Sequence, residues 1–480
     1  MNAKKLLSRA FARKAKGEPH NFLWIVPLSS CTHPVKFFAY IFMVFTCMAL
    51  IVYFSALQAS ILTTILEVPV SSGSSRTGQT TGSLALYGEL LAMVMVVIWG
   101  SISDFIERRT IYSVSLSLMG LATILYPYAK NVYPDLLLMR FVFSAGSAGS
   151  TTMMVALMTD TAHGTGGMVA GFVGACSGLG AIFSSFVLFF VPEWLGTLEN
   201  DSLGLERGYG VIGGIAIFIA IVCWFFLPHS KREPMLPMHR RLWAGVLAVR
   251  DPRIAMGYAT SFFARADEII ISNFVSLWVN QYYIDKGECR VGVSCYQAMG
   301  STGTMTGIAQ AVSLASAPLF GLMSEFLPRP LALILAGAIG AAGCFPFAFS
   351  FDPTSSSSMG FVILIAVGEL GMIISGMAML NGPHVPRNLR GSIAGVFSFV
   401  GSVGIIIVSK VGGVLLDSWM KGAPFLLLAI GHCVVGVAAF VLLLFHRRIA
   451  AIDARRAEAE KPEESTDSDQ SSGYSEKWRD

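Results

Sequence analysis

Long apolar stretches recur along this chain from Phe37 to Phe445, each about the length that carries a helix through a bilayer. A crossing helix needs ~20 predominantly apolar residues. Lipid offers the backbone no hydrogen-bond partner, so a spanning segment must satisfy every N–H and C=O within a helix or a closed barrel. Barrel strands are ~10 residues of alternating polarity, far shorter than these runs. The expectation is an all-α polytopic membrane protein. Composition agrees, since 13% of the 480 residues are charged, about half the ~25% of a soluble domain.

The hydropathy pattern predicts twelve spans, over 37–66, 82–100, 111–129, 135–158, 168–191, 209–227, 254–281, 299–323, 330–350, 359–381, 392–415 and 424–446. The first is longer than one crossing requires and is expected to tilt or to project beyond the bilayer. The basic segment 1–36 has neither the apolar core nor the cleavage site of a removable signal peptide. Lysine and arginine concentrate on the cytoplasmic side of membrane proteins. With an even number of spans, placing both termini in the cytoplasm puts 25 of the 34 basic residues there. Six fall in outer loops, and Arg140, Arg265 and Lys410 lie within spans. The net charge of +4 then follows from topology, and nucleic acid is not an expected partner. The sequon at Asn200 and the pair Cys289 and Cys295 fall in predicted outer loops. There N-glycosylation and a disulfide are chemically allowed, with chance placement as the competing reading for both. A monomer in the plasma membrane is expected, with a vacuolar or other endomembrane as the alternative.

Residues 100–109, GSISDFIERR, interrupt two apolar runs, and residues 321–330, GLMSEFLPRP, repeat them at an offset of 221. Gly100 matches Gly321, Ser103 matches Ser324, Asp104 matches Glu325, Phe105 matches Phe326 and Arg108 matches Arg329. A second pair, GGMVAGF from 166 and RGSIAGVF from 390, recurs at a nearly equal offset. These repeats predict a duplicated architecture of two pseudo-symmetric six-helix bundles. The bundles are 37–227 and 254–446, joined by a basic cytoplasmic connector over 228–253. The charged, Ser-rich tail 447–480 lacks apolar surface to bury and is expected to be disordered.

The first loop is similar to the signature loop of the major facilitator superfamily. Gly100, Asp104, Arg108 and Arg109 hold its glycine, acidic and paired basic positions, while Phe105 and Glu107 depart from the usual pattern. Arg140, followed by Ser144, Gly146 and Gly149, resembles a second motif of that family. The resemblance covers nearly the whole chain. It implies secondary transport by alternating access, with Gly100, Asp104, Arg108, Arg109 and Asp160 forming a cytoplasmic gate in one half. Gly321, Glu325 and Arg329 form its counterpart in the other. Asp104 would cap a nearby helix, Arg108 or Arg109 would reach Asp160, and closing this gate would favour an outward-open state.

Charge inside lipid is costly, at least ~2.5–3.5 kcal/mol per residue on insertion scales, so Glu89, Arg140, Arg265, Asp267, Glu268, Glu369 and Lys410 each call for a reason. In span seven, Ser261, Arg265, Glu268, Ser272, Ser276 and Asn280 fall on one stripe at helical spacing, as expected of a helix lining a water-filled path. Arg265 and Glu268, three apart, can pair. Asp267 points about 100° away from Glu268 and needs a partner on another helix or a proton of its own. One acid among Glu268, Asp267, Glu89 and Glu369 is expected to bind and release a coupling proton, with Arg140 alongside the path. A permanent Arg–Glu pair that pins helices together is the competing reading.

Gly167, Gly171, Gly174 and Gly178 repeat a small-xxx-small spacing along span five that suits close helix contact. A nucleotide-binding loop, a metal-ligand cluster and a nucleophile with a base partner are all absent from the sequence, so no enzyme, cofactor or metal site is expected. The main functional expectation is a secondary transporter of a small organic solute, proton-coupled, with efflux of a metabolite or drug-like compound first and uptake of a nutrient second. A non-transporting sensor or scaffold on the same fold is the alternative of another class. Charged loops kept in both halves argue against it.

Overall fold

The computed structural model describes residues 21–22, 26–27, 34–69, 76–103, 105–161, 166–196, 201–227, 243, 245–380 and 390–459. Twelve long helices carry almost all of them: α1 (Pro34–Ile65), α2 (Thr77–Ile102), α3 (Arg108–Leu125), α4 (Leu137–Thr161), α5 (Gly166–Phe186), α6 (Asp201–Phe226), α7 (252–285), α8 (Tyr296–Phe326), α9 (Arg329–Ala348), α10 (Ser356–Leu380), α11 (Arg390–Ser418) and α12 (Ala423–Ala459). The described strands are a two-residue pair, Asn21–Phe22 against Val26–Pro27. Eleven of the helices are long and apolar enough to cross a membrane. The remaining one, α7, is long enough but carries Arg265, Asp267 and Glu268 in its middle. Its polarity is the first structural mark of function.

Two helices differ from their predicted extents. The last one runs through Ala459, past the predicted start of a disordered tail at 447. The added sequence, RRIAAIDARRAEA, is rich in Ala and Arg, among the strongest helix formers, so the turn out of the apolar run needs no break. The first one, 32 residues long, ends in a widened π-helical turn at Ile61–Ile65. A second π turn, Ile271–Val275, interrupts α7 between the α-helical pieces Pro252–Ile270 and Ser276–Asp285.

Within the first half, α1 packs on α5, α2 on α4, and α3 on both α4 and α6. Adding six to each number gives the pairs of the second half: α7 on α11, α8 on α10, and α9 on both α10 and α12. The halves meet along α2–α11 and α5–α8, two contacts that exchange under the same operation. The duplicated sequence has therefore produced a pseudo-twofold bundle of twelve helices.

Helices in lipid do not associate by hiding apolar surface from water, so close backbone approach and polar contacts hold them. At the α2–α11 seam, side chains on Gly78 and Gly82 would strike the carbonyl oxygens of Gly413 and Ser409, at 2.7 and 2.3 Å from the added carbon. At α5–α8, Gly303 lies equally close to the carbonyl of Ser185, and Gly178 packs on Leu314. Both seams run from mid-helix to the face that bears the 286–295 loop. Gly180, two residues beyond the predicted glycine row, makes the tight approach of α5 to Phe45 of α1, whereas Gly174 faces open space. Replacing Gly82 by Leu should cost about 1–3 kcal/mol of packing at the seam. Amide protection over 77–85 is then expected to fall about tenfold or more in hydrogen exchange; unchanged protection would mean that the seam accommodates the side chain.

Candidate functional site

The polar stripe of α7 divides into three parts. In its middle, Arg265 Nη1 donates to Glu268 Oε2 at 2.7 Å, with the two side chains 43% and 30% exposed. Ser272 lies beside them and donates to the Glu268 carbonyl. On the near side, Ser261 is buried and donates to the carbonyl of Phe397 on α11. Beyond the π turn, Ser276 donates to the carbonyl of Ala56 on α1, and Asn280 accepts from Thr63 at 3.5 Å. The stripe thus does not line one continuous path. A π turn contains one residue more than an α turn, which rotates the following residues by about 100° and carries Ser276 and Asn280 into the α1–α7 contact. Asn273, inside that turn and 2% exposed, has no hydrogen-bond partner for its amide among the described residues.

Asp267 is fully buried behind the Arg265–Glu268 pair. Its Oδ2 lies 3.1 Å from Nε2 of His432 on α12, also fully buried. The contact lacks the alignment of a regular hydrogen bond, and neither group has another hydrogen-bond partner among the described residues. Glu369, on α10 and 8% exposed, is within electrostatic reach of Glu268, Asp267 and Arg265. Five titratable or charged groups from three helices are therefore gathered in the second half.

The first half contributes Glu89 and Arg140. Glu89, midway along α2, accepts from Ser402 of α11 at 2.5 Å, so its carboxylate bridges the halves. Arg140 is buried, donates to Gln58 at 3.1 Å and lies over the Phe54 ring, 5.4 Å from its centre. Its Nε has no hydrogen-bond partner among the described residues.

The loop after α2 is tied into its own half. Ser103 donates to the Gly100 carbonyl. Arg109 pairs with Glu107 at 2.5 Å and lies over the ring of Trp224, which donates to Thr110. Arg108 is buried and reaches the carbonyl of Ala156, one turn before Asp160 on α4. Asp104 lies outside the described residues, as does Asn200; the side chains of Asp160 and Glu325 do too. In the second half, Gly321 faces open space and Arg329 begins α9.

Contacts at the opposite face escaped the sequence reading. Asp417 of α11 accepts from the backbone N–H groups of Gly78 and Gln79, at 3.1 and 2.7 Å, and so caps the start of α2 from the other half. Lys410 donates to Ser83, and Gln281 of α7 donates to Thr77. Cys289 and Cys295 are joined by a disulfide. The loop they close donates from Gly292 N–H to the carbonyl of Thr63, inside the π turn of α1. Nearby, Asp352 is held below the usual carboxylate range: partial burial opposes ionisation, but hydrogen bonds from Thr354 and Tyr282, with the Lys286 charge, outweigh it. His432 and Asp417 each carry the signal used for the other candidates, a polar group in or beside an apolar run. Nothing in the sequence names their partners.

A family model described as Major Facilitator Superfamily matches residues 37–301 and 258–479. Among curated proteins, the chain is 24% identical over 408 residues to "Magnetosome protein MamH" of Paramagnetospirillum magneticum, covering 83% of this chain and 90% of that one. It is 23% identical over 405 residues to "Magnetosome protein MamZ" of Magnetospirillum gryphiswaldense, covering 81% of this chain and 60% of that longer one. Among solved structures, the nucleoside transporter NupG superposes with a TM-score of 0.64 at 12% identity, over 86% of this chain and 99% of that one. A bacterial homologue of the human lysosomal transporter Spinster, inward-facing and occupied, gives 0.62 at 13% identity, over 85% and 97%. At such identities the solved structures speak to the fold.

Replacing Asp417 by Ala removes a helix cap, typically worth about 0.5–2 kcal/mol. The equilibrium between closed and open arrangements of the 286–295 face should move toward open by roughly 2- to 30-fold. Distances between spin labels on α2 and α11 measure it, and a wild-type distribution in the variant would show that the cap does not hold the seam.

Proposed function

Because the chain belongs to the major facilitator superfamily, we propose that it moves a small organic solute across the membrane by alternating access, coupled to protons. The observation that carries this reading is the partly exposed Arg265–Glu268 pair in the middle of a membrane helix, beside a seam bridged by Glu89 and Ser402. Charges kept in a bundle interior call for water and a ligand to serve. The halves are joined toward the 286–295 face, and α2 and α11 are held together there by Asp417 and Lys410. With the basic flanks in the cytoplasm, that face is the outer one and both termini are cytoplasmic. This arrangement then corresponds to an inward-facing state.

Coupling falls to the carboxyl groups. A carboxyl group exchanging a nearby arginine for a drier neighbourhood changes its proton affinity, and Glu268, Glu89, Glu369 and Asp267 all lie where motion of the halves would make such an exchange. Efflux is the proposed direction and uptake its converse, since the same machine runs either way with the imposed gradients.

Reconstituted proteoliposomes screened with a metabolite library under a pH gradient of either sign test the proposal. Solute movement with proton movement is expected. At least one of Glu268→Gln, Glu89→Gln, Glu369→Gln and Asp267→Asn should lower coupled proton flux about tenfold or more. Four variants that couple as the wild type does would refute the proton site. Binding of a partner protein with no flux of any compound would favour a sensor.

A further inference from the structure

The Asp267–His432 contact stands apart from the partly exposed Arg265–Glu268 pair. Both side chains are fully buried, and Nε2 and Oδ2 are 3.1 Å apart. The imidazole lies on the backbone of α9 at Gly340, where a methyl group would come within 2.1 Å of its ring. Only glycine leaves room for it. Along the same side of α9, the fully buried Cys344 continues the wall. No water reaches such a site, so the two groups must together be neutral: a carboxylate or an imidazolium alone there would be an unpaired buried charge. Neutrality fixes one proton between two heavy atoms at hydrogen-bonding distance.

On α7 itself, Arg265 and Glu268 neutralise each other. On α10, Glu369 is within electrostatic reach of Asp267. On α9 and α12, the neighbours are the thiols Cys344 and Cys433. Among the described side chains of α11, the charged groups Lys410 and Asp417 are engaged with α2. No cation faces Asp267 except His432 among the described residues, so the shared proton is what keeps the carboxyl neutral.

We propose that Asp267 and His432 form a proton-binding pair that carries the coupling proton of the second half. The inference rests on the transport reading above. In this conformation Asp267 holds the proton as a neutral carboxylic acid, its Oδ2 3.1 Å from Nε2 of His432. Four residues further along begins the π turn Ile271–Val275. If its extra residue moves past Asp267, the segment turns by about 100°, the angle that separates Asp267 from Glu268. Asp267 then enters the site now held by Glu268, carrying the proton, and releases it to water there. The carboxylate left behind is solvated and within reach of Arg265, and His432 stays neutral in its pocket. Atoms and charge balance without any further reactant.

The test uses the full chain in lipid nanodiscs with spin labels on α2 and α11, reading the closed fraction of the 286–295 face between about pH 5 and pH 8. The wild-type equilibrium should shift about tenfold or more through one midpoint. Asp267→Asn should abolish the pH response. His432→Gln, which keeps the carboxyl but replaces the basic imidazole by a neutral amide, should move the midpoint by about one unit or more. The double variant D267N/H432Q leaves two amides able to bond in the same pocket and supplies a folded comparison without a proton site. A pH-independent wild type, or a double variant with the wild-type midpoint, overturns the pair while leaving solute transport standing. A pH response that behaves as expected beside an absence of flux would overturn transport and leave the pair as a proton site.

Discussion

Two bundles in lipid gain nothing by hiding apolar surface from each other, so their contact must be made of backbone proximity and polar exchange. That requirement governs the seam along α2 and α11. Glycine or serine stands wherever one backbone crosses the other, at Gly78, Gly82, Ser409 and Gly413. Along the same seam, Glu89, Ser83 and the first turn of α2 each find a partner in the other half. The polar contacts seen between α2 and α11 among the described residues run from Glu89–Ser402 to Asp417, toward the 286–295 face. The position of the polar groups therefore holds α2 and α11 together at that face.

The same scarcity of partners organises the second half. Its charges are arranged from accessible to sealed: Arg265 and Glu268 half-open, Glu369 nearly covered, Asp267 and His432 shut off. Each step inward removes solvent and replaces it with a specific side chain. A π turn lies next to this gradient, and another ends α1. Widened turns of this kind often accompany functional sites, because an extra residue in the turn lets one part of a helix rotate while the rest stays packed.

Much of the architecture was legible because lipid makes sequence simple to read. Apolar run lengths gave twelve helices, and the offset of 221 between Gly100 and Gly321 announced the duplication that the helix pairings display. The pairing of Arg265 with Glu268 follows from a three-residue spacing and is seen. What could not be read depended on tertiary context. A wheel drawn at constant pitch places Ser276 and Asn280 on the path, and the π turn moves them onto α1. Asp267 plainly needed a partner, but nothing local points to a histidine 165 positions later. Asp417 looks like a loop residue until the start of α2 is brought against it. Partners brought by folding from distant sequence were the invisible part.

Asp417 also bears on how readily the molecule can change shape. The start of α2 is completed by a carboxylate borrowed from the other half. When that face opens, water enters and takes over the same two N–H groups, and the carboxylate is hydrated in turn. Protein–protein bonds are exchanged for protein–water bonds, a trade whose net worth is only about 0.5–1.5 kcal/mol per bond. A cap made of apolar packing would have had no such substitute waiting in solvent. By closing itself with groups that water can replace, this seam can part without leaving its helix end or its carboxylate unsatisfied.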